Sequence, residues 1–109
     1  MTVNSPQVLP TKSKEVSIRF RNGVPKQLTE RAEKDGARRA AWIRDAVLHA
    51  TTVEAPQRYS TANGAGESIV IRLTIVDLKR ISLEASKNSV STSTYIRAVC
   101  MQILEKEKK

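Results

Sequence analysis

The sequence predicts an α+β fold, mainly α: two short strands paired antiparallel into a two-stranded ribbon, with four helices packed beneath it. Three observations carry this expectation. Val16-Ser17-Ile18-Arg19-Phe20 alternates apolar and polar residues in the manner of a strand with one buried face. The same pattern returns at Ile69-Val70-Ile71-Arg72-Leu73, and a register of 53 residues holds without a gap from Val16 to Ala50 against Ile69 to Ile103. Behind each strand come two stretches of helical periodicity separated by a turn signal.

Identical pairs at that offset are Ile18/Ile71, Arg19/Arg72, Lys26/Lys79, Ala32/Ala85, Lys34/Lys87, Ile43/Ile96 and Arg44/Arg97, while Trp42/Tyr95, Leu28/Ile81 and Asp35/Asn88 keep their chemical type. A unit of roughly 40 residues is too small to close a core alone, so the two copies are expected to share one. Residues 1–14 read as a flexible basic arm, interrupted by Pro6 and Pro10 and ending in Lys12 and Lys14. Residues 15–50 form the first strand-helix-helix unit, 51–66 a linker holding Pro56, Gly64 and Gly66, 67–104 the second unit, and 105–109 a charged tail.

In the first unit Asn22-Gly23 supplies a turn, and Pro25 suits the first turn of a helix, where its missing N–H does no harm. The spacing predicts that helix over 24–35, with Leu28 and Ala32 on one face and Gly36 placed to end it in a left-handed cap. A second helix over 38–50 carries Trp42, Ile43, Ala46, Val47 and Ala50, a stripe read as core. In the second unit Thr74 reads as a helix cap, its hydroxyl accepting from first-turn amides, with Asp77 favoured near the positive helix end. Leu78, Ile81 and Ala85 give that helix its apolar face, and Asn88-Ser89 stands where the first unit has Asp35-Gly36. Ser91 then caps a last helix carrying Tyr95, Ile96, Val99, Cys100 and Ile103.

A formal net charge of +8 over 109 residues, shared between both halves, favours a polyanionic partner, and nucleic acid before membrane. A single cysteine, Cys100, makes no internal disulfide, and there is no apolar run suited to a signal peptide or a membrane span, so the cytoplasm is the expected compartment. The sequence holds no phosphate-binding glycine loop, no histidine paired with a nucleophile and no acidic cluster spaced for a metal. The expectation is therefore a protein that is not an enzyme and needs no cofactor, with the lone His49 and Cys100 structural.

Paired antiparallel, the strands turn Ser17 and Arg19, and Val70 and Arg72, the same way, outward, on a ribbon narrow enough for a DNA major groove. The strand V-S-I-R-F with A-E-K-D-G-A-R-R-A-A-W-I-R-D-A-V behind it, and I-V-I-R-L with E-A-S-K-N-S-V-S-T-S-T-Y-I-R-A-V behind it, resemble the ribbon-helix-helix (Arc/MetJ-like) DNA-binding proteins. Two such motifs in one chain imply a single-chain pseudo-dimer, similar to the TraY-like accessory proteins of conjugative plasmids and to VirC2-like proteins. The resemblance implies strand side chains reading bases and the start of each second helix holding a phosphate. By position the base readers are Ser17, Arg19, Ser68, Val70 and Arg72, and the phosphate contacts are Arg21, Arg38, Arg39, Ser91 and Thr92.

Two positions depart from that scheme. Glu15 fills the remaining reader slot, where an acid faces a cytosine amino group or stays clear of phosphate, and Arg38 stands where the family usually has a serine or threonine cap. Arg44 and Arg97 also recur, but on a helix flank they read as ion-pairing or snorkelling residues. The implied function is sequence-specific binding of double-stranded DNA, as a plasmid- or phage-type transcriptional repressor or a relaxosome accessory protein in conjugation. Partners beyond DNA would be further copies on adjacent sites and a relaxase or other plasmid protein. The competing reading is an antitoxin-like interaction module; antitoxins of this fold usually append a long acidic or amphipathic tail, and here only a few charged residues follow the last helix.

Overall fold

The computed structural model describes residues 12–50, 53–60 and 66–107. Among these the chain runs β1 (Ser13–Arg21), α1 (Val24–Lys34), α2 (Arg39–Leu48), a 3₁₀ turn (Pro56–Tyr59), β2 (Gly66–Thr74), α3 (Ile75–Lys87) and α4 (Thr92–Glu107). It is mainly helical, with one two-stranded antiparallel sheet. Most of the expected arm lies outside the described residues, but Ser13 and Lys14 already belong to β1. Gly66, expected in the linker, starts β2, and α4 continues through Glu107, so the first residues of the charged tail are helical.

In the sheet Ser17 lies opposite Val70, Ile18 opposite Ile69 and Glu15 opposite Arg72. Ser17 and Val70 are 53 residues apart, so the pairing is centred on the one pair of positions that the sequence repeat relates to each other. The inner face delivers Ile18, Phe20, Ile69, Ile71 and Leu73 to the core, each 1% exposed or less. Burying a side chain of this size contributes about 1.5–3 kcal/mol. From below come Leu28 and Ala32 of α1, Trp42, Ile43 and Val47 of α2, Ile81 and Ala85 of α3, and Tyr95, Ile96, Val99 and Cys100 of α4. Ala46, Ala50, Leu78 and Ile103, read from periodicity as core, are half-buried against it, as is Val16.

Both helix-to-helix turns are built alike. Gly36 (φ 69) and Ser89 (φ 59) take the left-handed conformation at equivalent positions. Each lets the next amide reach back, Ala37 N to Ala32 O at 2.9 Å and Val90 N to Ala85 O at 3.0 Å. Ser89 bears the steric cost that Gly36 avoids. Residues 53–60 are strapped along α4. Gln102 and Glu54 exchange hydrogen bonds between side chain and main chain, and the Tyr59 hydroxyl donates to Glu105 at 2.9 Å.

Candidate nucleic-acid interface

The ribbon's outer face is built from alternate residues of both strands, in facing rows: Ser13/Thr74, Glu15/Arg72, Ser17/Val70, Arg19/Ser68 and Arg21/Gly66. Glu15, Ser17, Arg19, Arg21, Ser68, Val70 and Arg72 are all exposed. Val70, at 54%, is a large apolar side chain left in solvent at the centre of a polar face. The carbonyls of Ser17 and Arg19 point to the ribbon's outer edge, where Ser93 Oγ and Arg97 Nε of α4 donate to them at 3.5 and 2.6 Å. Outward carbonyls mark the non-hydrogen-bonded rows of an antiparallel ladder, in which facing side chains stand closest. The rows of this outer face are of this kind.

The two arginines of the face differ in surroundings although they share a place in the repeat. Arg72 Nη2 donates to Glu15 Oε2 at 3.1 Å, an ion pair with both side chains about two-thirds exposed (68% and 63%). Arg19 faces Ser68 instead, and its side chain runs across Gly66: a Cβ placed there would lie 2.9 Å from Arg19 Cγ and 2.7 Å from the Phe20 carbonyl oxygen. Glycine is required at that row for the close approach. One end of the ribbon thus offers Arg19 and Arg21 without a facing acid, and the other offers a neutralised pair.

The starts of α2 and α4 flank the ribbon, α2 packing on β2 and α4 on β1. At α4 the Ser91 hydroxyl accepts from Thr94 N at 3.1 Å, and Thr92 Oγ1 is engaged with Ser82 Oγ at 2.9 Å. The Ser91 hydroxyl also donates to Thr94 Oγ1 at 2.9 Å, so its proton is used within the protein; what this end can offer an anion is first-turn amides, the positive end of the helix dipole and, when Ser82 is the donor in its pair, the Thr92 hydroxyl. At α2 no side chain caps the helix; Arg38, in the cap position, is extended and exposed, and Arg39 Nη1 leans back to Thr29 Oγ1 at 3.4 Å. The equivalent position in the second unit, Ser91, does cap its helix, and Thr74 caps α3 by accepting from Asp77 N at 3.0 Å, both as the sequence implies.

Arg97 is neither ion-paired nor snorkelling. It is 8% exposed and spends its guanidinium on two main-chain carbonyls, Arg19 in the ribbon and Tyr59 in the linker. Burial pulls its pKa below the ordinary arginine value. The first unit ties its helices together differently: Asp35 accepts from Arg31 at 2.7 Å and from Trp42 Nε1 at 2.9 Å, and these partners hold its carboxyl below the usual range.

The Glu15–Arg72 pair is the feature that residue-by-residue reading misses. Its only signal is the register, since Glu15 meets Arg72 when the strands pair about Ser17 and Val70 and not when they slip by two. Among the described residues no three His, Cys, Asp or Glu side chains gather as a metal site, and no helix is long and apolar enough to cross a membrane. Comparison with known proteins gives no match: no family model fits the chain, and no curated protein or solved structure matches it significantly.

Proposed function

We propose that the chain is a tandem ribbon-helix-helix protein, a single-chain pseudo-dimer that binds double-stranded DNA sequence-specifically through its ribbon. The observation that carries this reading is the strand register: residues related by the 53-residue repeat meet at Ser17 and Val70 on a local dyad, as they do when two identical chains of this type pair. The ribbon face so formed is exposed, polar and basic, and its width suits a major groove about 12 Å wide. Rows 15/72 and 19/68 lie four residues apart, about 13 Å, or roughly four base-pair steps. Arg19, Arg72, Ser17, Ser68 and Val70 face the bases; Arg21, Arg38, Arg39 and the amides at Thr92 meet phosphate on the flanks.

The same interface serves a plasmid- or phage-type repressor or a relaxosome accessory protein, both cytoplasmic roles. A self-regulated operon argues for the first and a neighbouring relaxase gene for the second. Anisotropy titration of a labelled duplex across a salt series tests the reading. Log K should fall linearly with log salt, by about 0.9 for each phosphate neutralised, and the Arg38→Ala/Arg39→Ala double variant should lower the slope. A flat response, or a free chain that sediments only as an obligate dimer, contradicts it.

A further inference from the structure

We infer that Glu15 and Arg72 act together as one composite reader of a single G·C base pair, so that one half of the target is read on both DNA strands and the other on one. The inference rests on the DNA-binding reading above. Its starting point is that the pair does nothing the fold requires. Both side chains are about two-thirds exposed, and an ion pair of that kind contributes little to stability. A carboxylate on a face that approaches a polyanion is repelled unless it meets a hydrogen-bond donor, and the donors in a major groove are the amino groups of cytosine and adenine.

The donor count fits guanine and cytosine. A guanidinium has five N–H donors; Glu15 Oε2 takes one from Arg72 Nη2, and of the rest two lie side by side as guanine O6 and N7 require. Glu15 then has Oε1 left, one row position across the ribbon, to accept from N4 of the cytosine paired with that guanine. At the pseudo-equivalent row Ser68 replaces the acid. A hydroxyl donates or accepts and makes no demand on the base opposite the one that Arg19 reads.

The test is selection of binding sites from a randomised duplex library by the full chain and by Glu15→Gln, with circular dichroism confirming that the variant is folded. Wild type should fix one G·C pair at the Arg72 row. Glu15→Gln should relax that base pair roughly tenfold, admitting A·T because a glutamine amide can bond adenine N6 and N7, and should leave the Arg19 position unchanged. If the variant instead binds all duplexes more tightly with every preference intact, Glu15 only tempers charge, and the composite reader is wrong while DNA recognition stands. If wild type enriches no sequence, both readings fall.

Discussion

Replacing Arg97 by methionine removes a guanidinium from beneath the ribbon while keeping most of its apolar stem. Two main-chain carbonyls, Arg19 O at 2.6 Å and Tyr59 O, lose a charged donor. Hydrogen bonds to charged groups contribute about 1.5–3 kcal/mol each, and an acceptor left buried without a partner carries its own desolvation penalty. Against this stands relief from burying a charge, a cost already visible in the lowered pKa of Arg97. The balance is a loss of about 2–4 kcal/mol. Urea unfolding followed by circular dichroism should register it as a fall in midpoint of roughly 1–3 M with unchanged slope. The half-buried counterpart Arg44 supplies the control, and Arg44→Met should cost less than about 1 kcal/mol. If Arg97→Met lies within about 0.5 kcal/mol of wild type, or if Arg44→Met is as damaging, the strap from linker through α4 to ribbon is not what holds the Arg19 end in place.

Two further outcomes follow from the same structure. Burial pushes the Cys100 thiol from an ordinary 9.0 up to about 12; between those values the unfolded thiol ionises while the folded one keeps its proton, so stability falls as pH rises, by up to about 1.4 kcal/mol per pH unit. Cys100→Ala should flatten that decline in urea titrations across this window, leaving the smaller part due to Tyr59 and Tyr95, whose pKa values burial also raises. Arg38→Ser should supply the cap that α2 lacks, adding about 0.5–1 kcal/mol of stability while lowering the salt slope of DNA binding by about 0.9. A variant that gains stability and keeps its salt slope would remove Arg38 from the proposed phosphate contacts.

The fold was legible where local chemistry decides it. Alternation marks the inner faces of β1 and β2, Asn22-Gly23 and Pro25 place the start of α1, Gly36 places its end, and Thr74 and Ser91 cap α3 and α4 by the hydroxyl-to-amide bonds that the sequence implies. The strands run past the apolar alternation because main-chain pairing continues where side chains are already exposed, at Ser13, Lys14 and Glu67. That Ser17, Arg19, Ser68, Val70 and Arg72 share one exposed face was legible, and how they face one another was not. Any even slip of one strand keeps apolar residues inside, so the pattern alone leaves open whether Arg72 faces Glu15 or another outward residue. Arg97 was misread for a related reason: helical spacing puts it on a flank, and only the packing of α4 under β1 and of residues 53–60 along α4 turns that flank inward.

Binding-site selection with wild type, Arg19→Ala and Arg72→Ala in parallel shows whether the ribbon reads DNA, and whether its two halves read it differently. One enriched, imperfectly palindromic site is expected, because Ser17 faces Val70 across the dyad and Ser68 stands where the other strand has Glu15. Each variant should lose about 1–3 kcal/mol of discrimination at its own position, the two positions lying roughly four base pairs apart. A perfect palindrome, relaxation of the same base pair by both variants, or no enrichment by wild type would contradict it.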